Sequence, residues 1–431
     1  MEKESNKDFI VIGFALFAMF FGAGNLIFPP SIGITAGDSW GASMIGFFLT
    51  GIGMPLLGIL AVAISGGSIH SLVGKVGPRF GKIFGSLVII LIGPLVAIPR
   101  TGATAFEMGL NPNFPGINPI IGSVLFFSIS LFLVIKPTGI VDRIGKILTP
   151  ILLVMLSVTI LKGILSPMGI PIDTGVTRSF SGGFTQGYQT MDLLGAIVFG
   201  SIVINSIKEK GYTKEKEQFK ITAKAGLIAA FGLCIVYGGL LYLGATSSSV
   251  LPTDIEKTSL IVTIASSLLG NLGKVILGIC VYCACLTTSV GLTATVGDYF
   301  SKLTDGKLSY RSIVIVTTLL SALISNIGVE KIVRFAGPVL TVIYPVAIVL
   351  VIINVFDNLI ENKKVYLGAV LGTLGVSLID GMSSVGVDTS FAGEFIKSLP
   401  LSSYGFAWLL PAILGFIIAD ILVKVKEKSI A

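Results

Sequence analysis

Charge is what this chain has least of. Only 12% of its 431 residues are Asp, Glu, Lys or Arg, about half the density of a soluble domain. Too few charges remain to cover a water-facing surface of this size. Histidine is nearly missing as well. His70 stands alone, which excludes a His-based metal site and a Ser-His-Asp triad. Of the four cysteines, Cys280, Cys283 and Cys285 share one apolar segment and Cys234 lies in another. A thiolate cluster there would place desolvated negative charge in lipid, so they read as small apolar packing residues and imply no disulfide framework. No Gly-x-x-x-x-Gly-Lys-Ser/Thr loop occurs, which removes an ATP-driven pump. Neither charged rings nor a repeated filter sequence marks an ion channel. Paired catalytic groups of a membrane-embedded enzyme are also absent from the apolar segments.

What is present is apolar. The chain is 53% hydrophobic, with 27 phenylalanines and 53 glycines, and its mean hydropathy is +0.94. That combination excludes disorder and predicts an all-α polytopic membrane protein of about 12 transmembrane helices. The candidate spans are Phe9–Phe28, Ala42–Ile64, Ile83–Phe106, Ile117–Ile135, Ile140–Leu165, Phe184–Ile207, Ala223–Ala245, Val275–Phe300, Ser312–Ile327, Ile332–Phe356, Val365–Ile379 and Ser403–Val423. With the N-terminus in the cytoplasm and alternating sides, 22 of the 30 basic residues fall in cytoplasmic loops and tails, six of them between Lys208 and Lys224. This bias predicts that both termini are cytoplasmic. It also explains the net charge of +7 without a nucleic-acid partner. The first apolar run continues into Gly and Pro without a small-residue cleavage site, so it reads as a span rather than a signal peptide.

Two spans carry interruptions, the usual mark of a transporter site. The first contains Phe20, Phe21, Gly22, Ala23, Gly24 and Asn25, then Pro29 and Pro30. Unwound there, the amides of Gly22, Ala23 and Gly24 would grip a carboxylate and freed carbonyls would face a cation. The competing reading is a small-residue packing face. The sixth span contains Thr190, Met191, Asp192, Leu194 and Gly195. An intramembrane carboxylate is a functional hypothesis by default: Asp192 would meet a substrate amine or a cation, or else cap the inner half-helix. Breaks five spans apart predict an inverted pair, 9–165 and 184–356, with two appended helices in 365–423. The eighth span carries Ala284, Thr287, Thr288 and Ser289, whose hydroxyls either serve an alkali cation or bond back to their own helix. Phe20, Met191, Leu194 and Phe199 flank the breaks and would line an apolar pocket. Arg100, toward the outer end of span three, is expected to snorkel or to gate through Glu107.

Four motifs together resemble one family. Phe21-Gly-Ala-Gly-Asn-Leu-Ile-Phe-Pro-Pro30, Pro99-Arg-Thr-Gly-Ala-Thr-Ala-Phe-Glu107, Met191-Asp192 followed by Phe199-Gly200, and Cys285-Leu-Thr-Thr-Ser289 resemble bacterial branched-chain amino acid:cation symporters, the BrnQ or LIVCS family. The resemblance covers essentially the whole chain. It implies a LeuT-like 5+5 inverted repeat plus two C-terminal helices, and sodium-driven uptake of leucine, isoleucine and valine across a bacterial cytoplasmic membrane. No cofactor is implied beyond Na+ as coupling ion. Carried over by motif, Ala18, Phe21 and Ala284 would offer carbonyls to sodium, and Thr287 and Thr288 hydroxyls, with Ser289 adjacent. Asn25 would serve a second sodium where one exists. Asp192 departs from the sodium-coupled neurotransmitter-type pattern, and would replace that second ion or bind the amine directly. A proton-coupled carrier of the same fold is the nearest alternative.

Overall fold

A computed structural model describes residues 5–135 and 140–428. Lys3 and Lys136, two of the 22 basic residues counted on the cytoplasmic side, lie outside them. Among the described residues the secondary structure is entirely helical, with no strand. Lipid favours this, because a helix satisfies its backbone groups within one segment.

Helical backbone lies on each of the twelve predicted segments. Six helices are long and apolar enough to cross a bilayer: Ala23–Ile64, Pro78–Leu110, Glu215–Thr246, Lys257–Leu303, Val329–Val355 and Val365–Ser384. The bent pair Ser179–Thr190 and Asp192–Glu209 makes a seventh if taken as one span. Shorter apolar helices cover Asp8–Phe20, Pro119–Ile135, Pro150–Leu165 and Tyr310–Ser325. Leu, Ile, Val and Phe side chains remain exposed along many of these helices, for example Phe14, Ile83, Val154 and Leu323, as expected of surfaces facing acyl chains.

Two helices are broken where interruptions were expected, but the breakers differ. The first helix ends at Phe20 and restarts at Ala23. Only Phe21 and Gly22 are unwound, and Gly22 takes an extended conformation as the N-cap. Pro29 and Pro30 lie inside the restarted helix Ala23–Ala36 without ending it. In the other, Ser179–Gln186 tightens into a 3-10 turn over Gly187–Thr190, and Asp192–Glu209 resumes at an angle of 42°. The hinge is Met191, held in the left-handed region at φ 61 although it carries a side chain. Gly195, expected to interrupt, is helical instead: its amide donates to Met191 O at 2.9 Å.

A third irregularity sits in Pro78–Leu110. Gly93 leaves helical geometry, and the next residue, Pro94, has no amide to donate. The chain is π-helical over Leu91–Leu95 before resuming as Ala97–Thr104. The long helix Lys257–Leu303 is likewise two helices joined at Gly270, at φ 68. The expected span Val275–Phe300 covers only the part after this joint; the helical segment before it and the helix Ser390–Ser398 lie outside the twelve expected spans.

Candidate functional site

The two breaks face one another across the core. Asn25, in the first turn of the restarted first helix, donates from Nδ2 to Asp192 Oδ2 at 2.7 Å and also to Tyr237 Oη. Asn25 is 2% and Asp192 7% exposed. Asp192 stands at the first position of its half-helix, and its carboxylate accepts from Asn25 rather than from an amide of that helix. Its own amide is served weakly by Thr190 Oγ1 at 3.4 Å, and Leu193 N–H donates to Tyr344 Oη at 3.2 Å. The capping alternative thus gives way: Asp192 binds across to the other break.

Arg100 fills the space between the breaks, and this overturns its expected placement. It neither snorkels nor meets Glu107; it is 4% exposed. Glu107 instead accepts from Thr258 Oγ1 at 2.7 Å and from Val329 N–H at 2.9 Å. The guanidinium donates from Nη1 to Gln189 O at 2.6 Å and reaches Thr190 O from Nη2 at 3.5 Å. These carbonyls end the half-helix before Met191, where carbonyls lack intrahelical partners and the helix dipole is negative. Its plane lies over Phe28, 5.4 Å from the ring centre. Gly24 makes room for it, since a Cβ there would come within 2.8 Å of Nη2. The break in span three explains the placement: the turn at Gly93 and Pro94 re-aims Ala97–Thr104, all of whose residues are buried.

A cavity of about 60 Å³ remains beside the guanidinium. Predicted residues Phe20, Gly22, Ala23, Gly24, Asn25, Met191, Asp192, Gly195, Phe199 and Thr288 line it. Leu194 does not; it is wholly buried on another face of its helix. Ile92 and Leu292, which the sequence did not point to, complete the wall with Arg100 and Thr190, which it named without placing them in the pocket, and Tyr237 lies behind Asn25. Of the three predicted carboxylate-binding amides, that of Gly22 is engaged with Phe20 O at 2.9 Å. Ala23 and Gly24 are the first two positions of a helix, where amides have no intrahelical acceptor.

The predicted ion ligands divide. Thr288 faces the first break, where its Oγ1 would lie 3.9 Å from a Cβ placed on Gly22. Thr287 and Thr288 both donate to Ala284 O, at 2.9 and 3.0 Å, the back-bonding alternative noted above. Each hydroxyl oxygen keeps lone pairs free to accept or coordinate. Ser289 turns away and pairs with Ser130 Oγ at 2.9 Å. Phe21 is buried, stacked on Phe17 and Tyr237, and Ala18 lies one turn before the break with an exposed side chain.

Beyond the turn 187–190 lies a larger cavity of about 690 Å³, lined among others by Tyr188, Gln189, Asp380, Lys397 and Trp408. The turn is therefore a thin wall, with Arg100 on one side and this cavity on the other.

Broken apolar helices that oppose an amide pair, a carboxylate and hydroxyls across a small internal cavity are the architecture of a membrane transporter. Residues 5–426 match the family described as "Branched-chain amino acid transport protein", and the chain belongs to that family. It is a transport protein and not an enzyme. It is 42% identical over 428 residues to the branched-chain amino acid permease BraB of Bacillus subtilis (strain 168), covering 96% of this chain and 95% of that one. With the branched-chain amino acid transport system 2 carrier protein of Pseudomonas aeruginosa it shares 38% over 418 residues, covering 96% and 95%. Among solved structures it resembles inward-facing Mhp1, with a TM-score of 0.63 at 16% identity over 96% of this chain and 91% of that one. It also resembles MhsT in complex with L-phenylalanine, with a TM-score of 0.56 at 16% identity over 96% and 97%. At this identity the likeness speaks for the fold, which is the LeuT type.

Proposed function

We propose that the protein is a sodium-coupled symporter that takes up leucine, isoleucine and valine across the bacterial cytoplasmic membrane by alternating access. In this reading the chain crosses twelve times with both termini in the cytoplasm. Residues 9–165 and 184–356 form the inverted five-helix pair, and 365–423 add two helices. Family membership supports the substrate class. The observation that carries the mechanism is the link from Asn25 to Asp192, which ties the two helix breaks into one site. A substrate carboxylate would meet the Ala23 and Gly24 amides, and its ammonium the carbonyl and carboxylate side at Gln189, Thr190 and Asp192. The aliphatic side chain would lie among Phe20, Met191, Phe199 and Leu292. One methylene in such a pocket is worth about 1–3 kcal/mol, so discrimination among the three substrates is modest.

Sodium would sit between the first break and Thr288, using freed carbonyls of the Ala18–Phe21 turn with the Thr287 and Thr288 hydroxyls. Ser289 contributes through Ser130 rather than to the ion. Neutral oxygen ligands suit reversible binding of an alkali cation. The proton-coupled reading rests on one different observation, a carboxylate and a guanidinium buried together in the same cavity. Ligand-induced stabilisation separates the two. Leucine should raise the unfolding temperature of the purified protein in sodium chloride and far less in choline chloride. Equal shifts in the two salts would refute sodium coupling, and no shift in either would refute the substrate.

A further inference from the structure

Arg100 is a charged side chain at the centre of the site for which substrate binding as described above has no use. Its surroundings say what it does there. At the second break, three groups near the guanidinium can receive a cation: Thr190 O and the Asp192 carboxylate, whose residues line the small cavity, and Gln189 O, whose residue lines the larger cavity beyond the turn. Asp192 already accepts from Asn25, and both carbonyls are taken by the guanidinium. The remaining volume of about 60 Å³ is far below the roughly 300 Å³ at which small-molecule sites begin. In this conformation an amino acid fits only if something moves, and the group occupying the carbonyls of Gln189 and Thr190 is Arg100.

We propose that Arg100 is a tethered stand-in for the substrate's ammonium: its guanidinium holds the carbonyls of Gln189 and Thr190, and an α-amino acid binds by displacing it. The inference rests on the reading of the two breaks as the amino acid site. The hold is built to be given up. Of the two hydrogen bonds, one is long at 3.5 Å, and buried Nε has no hydrogen-bond partner among the described residues. A guanidinium has five donors to satisfy, so this one is poorly paid in its present seat. It nevertheless performs two services. It keeps the carbonyls of a half-helix C-terminus paired, which matters most at buried Thr190, where an unpaired group is costly. It also places a positive charge in the same cavity as the Asp192 carboxyl. A ligand that brings an ammonium replaces both services, whereas an inorganic cation alone lacks the apolar body that would fill the pocket. Displacement also frees the guanidinium, with Nε and both Nη groups, to follow the incoming carboxylate. The site is thereby selective for zwitterions over simple amines, because an amine must evict Arg100 without offering it an anion.

The test uses 3-methylbutylamine, which is leucine without its carboxylate, and reads ligand-induced stabilisation of the full-length purified protein. Two variants separate the seat from the charge. Arg100→Met removes both, while Arg100→Lys keeps the charge but replaces the fork by a shorter point donor. We expect the amine to stabilise both variants at concentrations about tenfold or more below those the wild type requires, the effect of no longer displacing a charge-assisted hydrogen bond. A gain in Arg100→Met alone would mean that net charge is all that matters and would overturn the proposal, as would no gain in either variant. If Arg100→Met does not fold, Arg100→Lys decides by the same criterion. Wild-type protein tested with leucine is the control for the site itself. If leucine fails to stabilise it, the functional reading is wrong; if leucine stabilises it and the variants do not gain, only the role of Arg100 is wrong.

Discussion

At the scale of single residues, the site is a set of short polar connections among side chains that would each be costly alone in lipid. Asn25, Asp192 and Tyr237 satisfy one another, and Arg100 is held by two backbone carbonyls with its Nε left unpaired among the described residues. Removing one partner leaves the others buried and unpaired, at about 1–3 kcal/mol or more for a charged group. Asn25→Ala is therefore expected to lower thermal stability and to abolish leucine-dependent stabilisation together; loss of neither would contradict the link between the breaks. Thr288→Val tests the ion side. It is nearly isosteric and removes the hydroxyl facing Gly22, so the sodium concentration for half-maximal leucine binding should rise about tenfold or more while the variant stays folded. Unchanged sodium dependence would return Thr288 to its bond with Ala284 O. Asp192 and the Gly22-Ala23-Gly24 run were legible in the sequence because a lone intramembrane carboxylate and clustered glycines are rare signals. Arg100 is an equally rare signal, but its place near the expected end of a span suggested snorkelling. Only the kink at Gly93 and Pro94, which sequence alone does not convert into a direction, turns it inward. Tyr237 carried no signal in an apolar run.

At the scale of elements, helix breaks and loop ties divide the work. The bend at Met191 is held by a non-glycine residue with positive φ, a conformation costing about 1 kcal/mol or more that persists where the surroundings over-determine it. Met191→Gly should relieve that cost and leave the protein folded but raise the leucine concentration needed for binding, since it removes apolar wall and adds hinge freedom; tighter binding would contradict this. Gly195 looked like the hinge because glycine is the usual breaker. Propensity does not say which of several adjacent residues yields when a neighbouring helix packs against the turn. A different kind of joint lies at a helix end. Asp357, between Val329–Val355 and Val365–Ser384, makes ion pairs with Lys75 at 3.0 Å and Lys363 at 2.7 Å and accepts from Tyr366 Oη at 2.7 Å. Burial pushes its carboxyl up, but the bonds from Lys363, Tyr366 and Lys75 outweigh burial and hold it at about 2, below its ordinary 3.8. A lowered carboxyl stabilises the fold above the unfolded value and ceases to as pH falls through the folded one. Asp357→Asn should thus cost on the order of 2 kcal/mol at neutral pH, and the gap from wild type should close as pH drops from about 4 to about 2. A pH-independent gap would mean that packing, not charge, makes this joint.

For the whole molecule, many of the glycines serve as contact points between helices. A Cβ on Gly33 would run into Leu241 O, one on Gly244 into Pro30 O, and one on Gly368 into Gly415 O. These are backbone atoms that cannot step aside, so helices approach closely, as small residues allow in membranes. Gly244→Ala should destabilise by about 1–3 kcal/mol or more, measured by thermal unfolding in detergent; a neutral effect would show that the two helices separate freely. The same scale shows why the class of protein was readable and its details less so. Apolar runs and sparse charge, with the Lys and Arg bias, specify a helical membrane chain whatever the packing. Which helices bend, and where Ser289 points, depends on neighbours such as Ser130 that lie far away in sequence. The central claim concerns what drives the transport cycle, and uptake of radiolabelled leucine into proteoliposomes measures it most directly. With an inward sodium gradient and no proton gradient, leucine should accumulate above its external concentration, and unlabelled isoleucine and valine should compete. Accumulation with a proton gradient alone, and none with sodium, would contradict the account.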